Sequence, residues 1–183
     1  MNHFKKLCFS VLTAVLLLSV SGESAHADEL EELIKQKVVQ AAEDSRPISR
    51  GDADDLIKSA MGLLGVAYRY GGTSVSTGFD CSGFMQHIFR RSMQINLPRT
   101  SAEQAKMGVH VDRAGLQPGD LVFFRTVKSR ISHVGLYIGN NKFIHAPRTG
   151  KTIEITSLSN KYWGAKYAFG RRVKKNDPSR FLK

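Results

Sequence analysis

Hydrophobic periodicity changes once along the 183-residue chain, near Val109, and that change limits what it can fold into. Before it, apolar residues recur at helical spacing. Leu30, Leu33, Ile34, Val38 and Ala41 lie on one face of a helix over 28–42, behind a first turn crowded with acids. Residues 43–50, with Pro47, read as a linker. Asp52 is expected to cap a second helix reaching residue 64, with Leu56, Ala60, Leu63 and Leu64 inward. A third helix starts at Cys81 and runs to about Met93. Phe84, Met85, Ile88 and Phe89 form its apolar face, and Leu97-Pro98-Arg99 breaks it. Thr100 and Glu103 have the spacing of a capping box for a short helix through Met107. From Val109 on, the pattern is that of strands. Residues 117–120 form a turn, and 121–124 a wholly apolar strand. Strands at 133–138 and 142–146 flank Gly139-Asn140-Asn141, a hairpin signature. Residues 152–157 alternate, with Ile153 and Ile155 on one face, and 167–173 make the last strand. Helices first and an antiparallel sheet second define an α+β fold.

The amino terminus is set apart. Residues 1–6 are short and basic, 7–20 are mostly apolar, and Ala25-His26-Ala27 has the small-x-small form of a secretory cleavage site. The apolar run is short for a membrane span, so a removed signal over 1–27 is expected, with the mature chain starting near Asp28. Cys8 lies too early in it to be a lipid-attachment cysteine. The predicted organisation is a signal (1–27), a helix with linker (28–50), one domain (51–175) and a basic tail (176–183). Arg171-Arg172 and Lys174-Lys175 read as part of a solvated basic terminus.

Export sharpens the cysteine arithmetic. Of two cysteines, only Cys81 would remain in the mature chain. Exported proteins normally pair their cysteines or lack them, so a lone thiol is a candidate nucleophile or an intermolecular partner. Two cysteines exclude a disulfide framework and a cysteine-rich zinc site, and no metal or other cofactor is expected. The formal charge of +11 falls to +10 without Lys5, Lys6 and Glu23. A basic exported protein meets anionic envelope polymers and membrane surfaces rather than nucleic acid. A monomer is expected.

Cys81 at a helix N-terminus would feel the positive end of the helix dipole and unpaired N–H groups, which favour thiolate. The plain alternative is a buried structural cysteine. A thiol nucleophile needs a base, and the base needs a third group to orient it. The two ends of the predicted hairpin supply histidines, His133 and His145. A two-residue turn would put them on opposite faces of the sheet. A three-residue loop or an equivalent bulge pairs Gly135 with His145 and brings both imidazoles to one face. Gly135 then leaves space beside the imidazole for substrate or the cysteine helix. His87 and His110 read as surface residues.

These residues resemble a known pattern. Tyr68-Arg69-Tyr70-Gly71-Gly72, Asp80-Cys81-Ser82-Gly83-Phe84, Leu97-Pro98-Arg99, Gly119-Asp120-Leu121-Val122, His133-Val134-Gly135-Leu136-Tyr137-Ile138-Gly139 and Phe143-Ile144-His145-Ala146 occur in order. Together they resemble the NlpC family of papain-like cell-wall cysteine peptidases. Gln86, the Asn140-Asn141 turn and Tyr162-Trp163 draw the likeness towards its MepS (Spr) group of murein endopeptidases.

The resemblance implies a papain-like fold, with N-terminal helices packed on a C-terminal antiparallel sheet. It implies Cys81 as nucleophile, His133 as base and His145 as the orienting third member. Tyr68 would assist the oxyanion region, and Asp80, Ser82 and Arg99 would line the substrate groove. For Asp80 and Ser82 a helix-capping role is the alternative, and for Arg99 a structural one. The implied activity is hydrolysis of a peptidoglycan amide bond next to diaminopimelate, D-glutamyl or D-alanyl, in the periplasm or cell envelope. Acyl transfer, amidase action on the sugar–peptide link and a non-catalytic wall-binding role are the alternatives.

Overall fold

The computed structural model describes residues 23–44 and 49–175. Most of the predicted signal and all of the 176–183 tail lie outside them. Helix α1 spans Glu23–Asp44, so it starts earlier than the periodicity suggested and includes residues 25–27. It belongs to a unit separate from the one that begins at Asp44. Its apolar stripe of Leu30, Leu33, Ile34 and Val38 is exposed. No described helix is long and apolar enough to cross a membrane.

In the second unit, α2 spans Arg50–Met61. Its N-cap is Ser49, and the predicted cap Asp52 is the residue that answers it, completing a capping box. Leu56 and Ala60 are buried as expected, but α2 stops before Leu64, which is exposed. Short strands β1 (Thr73–Ser74) and β2 (Gly78–Phe79) form a small hairpin that leads into α3 (Cys81–Met93). Helix α4 (Ser101–Gln104) carries the predicted Thr100–Glu103 box and ends a turn early.

Six antiparallel strands follow: β3 (Val109–Val111), β4 (Leu121–Phe124), β5 (His133–Gly139), β6 (Lys142–His145), β7 (Glu154–Ser157) and β8 (Tyr167–Arg172). Their order across the sheet is β3-β8-β4-β5-β6-β7. A one-turn helix, α5 (Lys161–Lys166), precedes β8. Both faces of the sheet are covered, which is why β4 is apolar throughout. Leu121 and Phe123 share a core with Leu56, Ala60, Phe84, Met85, Ile88 and Phe89 of the helices. Val122 and Phe124 face the other way, onto Phe143, Leu158 and Trp163.

Three expectations need correction. Arg171 and Arg172 are not a solvated terminus but part of β8. Arg172 donates two hydrogen bonds of 2.8 Å to the buried Asp120, and Arg171 donates one of 2.7 Å to the Ala105 carbonyl. Ile153 precedes β7 and is buried, whereas Ile155 sits on the edge strand and is exposed. His87, expected at the surface, is half-buried and packs edge-on against Phe79, whereas His110 is exposed as expected, with Asp112 3.2 Å away.

Candidate active site

Asp80 fixes the start of α3, and with it the position of Cys81. Its Oδ1 accepts from the Gly83 N–H at 2.7 Å, the N-cap bond of the helix. Its Oδ2 accepts from the Gly71 N–H at 3.0 Å, and its own N–H donates to the Gly72 carbonyl at 3.0 Å. The loop after Tyr68 is thus strapped to the first turn of α3. Gly83 permits this approach, since a Cβ there would lie 2.1 Å from the Gly72 oxygen.

Arg99 closes the same cluster. It donates to both Asp80 oxygens, at 3.0 and 2.5 Å, and to Ser82 Oγ at 3.0 Å. The guanidinium and the capped N–H groups hold the Asp80 carboxyl below its ordinary range, overcoming the opposing effect of burial. Asp80 and Ser82 are buried. The capping and structural roles that the sequence left open for these three residues are therefore occupied, and only Arg99 retains substantial exposure.

Cys81 keeps part of its surface open, and the N–H groups of Cys81, Ser82 and Val134 face its sulfur. Val134 follows His133 directly, so the first turn of α3 lies against the start of β5. Burial, reinforced by the Asp80 charge, still pushes the thiol up to about 11. The helix terminus opposes that shift without reversing it. The expected resting thiolate is therefore not the form this groove favours. Tyr68 lies near enough that burial, followed by the charge of Cys81, raises its hydroxyl.

The hairpin resolves the parity question with a bulge. Asn140 and Asn141 both have positive φ, the mark of a two-residue type I′ turn, and Gly139 pairs with Lys142. The register shifts at Ile138, after which Tyr137 faces Phe143 and Leu136 faces Ile144. His133 and His145 consequently share a face, and His133 Nε2 lies 2.8 Å from His145 Nδ1. Both rings are buried. Burial drives the His133 imidazolium down to about 3, and burial with the His133 charge lowers His145 well below the usual histidine range. The space at Gly135 is used by neither substrate nor the cysteine helix. A Cβ there would meet the Phe143 ring at 2.6 Å and His145 Cβ at 3.3 Å, so the glycine makes room for the second imidazole.

Two neighbours were not read as site residues from the sequence, where Trp163 entered only through the resemblance. Thr156 Oγ1 lies 3.1 Å from His145 Nε2, with Glu154 Oε1 farther off at 3.9 Å. Trp163 packs on both imidazoles, with centroids 4.8 Å from His133 and 4.6 Å from His145. It is the only tryptophan in the chain, a second signal beside the Tyr162-Trp163 likeness. Among the described residues, no group of three or more His, Cys, Asp or Glu could hold a metal.

A thiol at a helix start that meets the N–H of the residue following a buried imidazole, with that imidazole bonded to a second polar ring, has the parts for nucleophilic acyl chemistry. Comparison with known proteins points to the same chemistry. The chain is 49% identical over 109 residues to the murein DD-endopeptidase MepS/murein LD-carboxypeptidase of Escherichia coli K12, covering 60% of this chain and 56% of that protein. It is 47% identical over 116 residues to the murein DD-endopeptidase MepH of the same organism, covering 62% and 43%. It thus spans about half the length of these relatives. A crystal structure of an NlpC/P60 family protein from Bacillus cereus superposes with a TM-score of 0.63 at 40% identity, over 71% of this chain and 42% of that one. Residues 65–172, which carry every side chain of the site, match the model of the NlpC/P60 family, and the chain belongs to that family.

Proposed function

We propose that this protein is a peptidoglycan hydrolase of the cell envelope, a cysteine endopeptidase that cuts an amide bond next to diaminopimelate. The observation that carries the reading is the bond between His133 Nε2 and His145 Nδ1, made where β5 meets the first turn of α3. With Nε2 engaged, His133 has Nδ1 left for the thiol proton. Cys81 Sγ attacks the carbonyl carbon as that proton passes to His133. The N–H groups at the helix start, with Tyr68 beside them, face the developing oxyanion. His133 then protonates the leaving amine, and the peptide remains as a thioester on Cys81. Water attacks the thioester, gives its proton to His133, and the thiol is regenerated with a free carboxylate.

Burial favours a neutral thiol and imidazole at rest, so His133 acts as a general base during attack. Ionising either group alone in the closed groove is costly, whereas moving one proton between them leaves the net charge unchanged. The D-alanyl bond of a cross-link is the first candidate, because MepS and MepH are named DD-endopeptidases. Mass spectrometry of digested muropeptide dimers tests this. Dimers should divide into two monomers whose summed mass exceeds the dimer by one water. Release of a disaccharide-dipeptide that lacks diaminopimelate would point instead to the D-glutamyl bond, and unchanged dimers would refute the reading.

Thr156 supports the relay. If His133 Nε2 carries the proton, His145 Nδ1 accepts it, and His145 holds its own proton on Nε2, aimed at Thr156 Oγ1. Thr156→Val keeps the shape but removes that acceptor. It is expected to lower kcat by about tenfold with KM little changed, and Thr156→Ser should restore most of the rate. Equal losses in both variants would assign Thr156 to packing alone.

A further inference from the structure

Charge is divided unevenly between the two halves of the folded unit. Residues 51–120 hold seven Lys and Arg and seven Asp and Glu, so they are neutral. Residues 121–175 hold twelve Lys and Arg against a single acid, Glu154. The antiparallel order adds a second asymmetry. β4 ends at Phe124, β5 starts at His133, β6 ends at His145, β7 starts at Glu154 and β8 starts at Tyr167, all at one end of the sheet. That is the end carrying the two histidines. The connections leaving it carry Arg125, Lys128, Arg130, Arg148, Lys151 and Lys166.

Among the described residues, none of these six makes an ion pair, and all but Lys166 are exposed. Cations towards the other end are partly consumed by the fold. Arg172 is bound to Asp120, Arg171 to the Ala105 carbonyl, and Lys175 lies 3.5 Å from Asp52. Backbone bonds hold the free cations beside the site. The Arg125 N–H donates to the Lys166 carbonyl at 2.9 Å, joining the β4–β5 connection to the start of β8. The Tyr68 N–H donates to the Lys151 carbonyl at 2.8 Å, fixing the β6–β7 connection next to the residue that flanks Cys81.

We infer that these connections form a cationic rim that holds the carboxylates of peptidoglycan stem peptides on either side of the bond in the groove. The inference rests on the function proposed above and names how the polymer is held. Five adjacent strands at about 4.8 Å spacing spread the rim over about 19 Å, more than one cleaved bond occupies. The cations come from three separate connections surrounding the site, not from one flat face. A polymer engaging them together must cross the groove, which is what a substrate strand does and a membrane surface does not. Unpaired surface cations this close together add their fields within a screening length of about 8 Å, so the attraction should be salt-sensitive.

The test uses full-length protein in a Cys81→Ala background, sedimented with purified sacculi from which phosphodiester polymers have been stripped. Lys128→Gln with Lys151→Gln should weaken binding about tenfold at physiological salt. Lys142→Gln with Lys174→Gln, at the other end of the sheet, should change it less than about twofold. Lys128→Arg with Lys151→Arg should bind like the parent, and high salt should bring the parent down to the level of the Gln pair. Equal losses at the two ends would show bulk charge rather than a rim. Unchanged binding in the rim pair, or loss in the charge-preserving pair, would also overturn the inference. So would failure of the parent to bind until phosphodiester polymers are left in place, since the partner would then be that polymer. A parallel assay with Cys81 intact follows the division of muropeptide dimers by the parent. If the parent fails to divide them, the proposed hydrolysis fails, while sedimentation still decides the rim.

Discussion

Cys81→Ala is expected to leave sacculi uncleared and muropeptide dimers intact, a loss of at least about 10⁴-fold in kcat. The size follows from the role proposed for the residue. Without sulfur there is no atom to form the thioester, and His133 would have to direct water at an unactivated amide. The substitution should not disturb the fold. Asp80 caps α3 through its own side chain, and the N–H groups at the helix start are main-chain donors. The variant should therefore still sediment with sacculi, separating lost chemistry from lost binding. His133→Ala should approach the same residual rate, because nucleophile and base act as a unit and their losses do not add. Clearing by Cys81→Ala at the wild-type rate would remove this cysteine from the reaction.

The same residues show how far sequence could go. The start of α3 was legible because Asp80 and the glycines before it are local signals of a helix N-terminus. That the two histidines share a face was legible only conditionally. Parity demanded an odd loop or a bulge, and the asparagine pair chose a tight turn with a bulge at Ile138. Long-range partners were not legible. Arg171 and Arg172 look like a solvated charge run until β8 is placed between β3 and β4, beside an aspartate 52 residues away. Thr156 carries no pattern of its own, and the Tyr162-Trp163 likeness did not say that Trp163 reaches the site. Both reach the imidazoles because β7 pairs with β6 and α5 folds back over Phe143. The thiolate expectation failed for a related reason. A helix terminus is visible in sequence, but the burial that outweighs it exists only once β5 closes over the groove.

That burial has a consequence for stability, expected to be the largest response of this protein to pH. His133 resists protonation down to about 3 when folded, whereas an unfolded imidazole accepts a proton near 6.5. Between those values the unfolded chain binds more protons, so stability falls as pH falls. The slope is about 1.4 kcal/mol for each pH unit, or about 5 kcal/mol over the whole window from His133 alone. His145, also lowered, adds to the loss, and the half-buried His87 adds in the same direction. Asp80 acts on a different interval. Its depressed carboxyl contributes stability that is present above the ordinary carboxylate value and lost only as pH falls through its folded one. The interval from about pH 6.5 to 4.5 therefore reports chiefly on the histidines. Urea midpoints measured across it should drop steeply in the parent. In a His133→Gln, His145→Gln variant, whose buried side chains cannot take up a proton, most of that slope should vanish. A parent midpoint that stays level across the interval would mean that the two imidazoles are protonated in the fold, and that the site is wet and open rather than closed over a neutral pair.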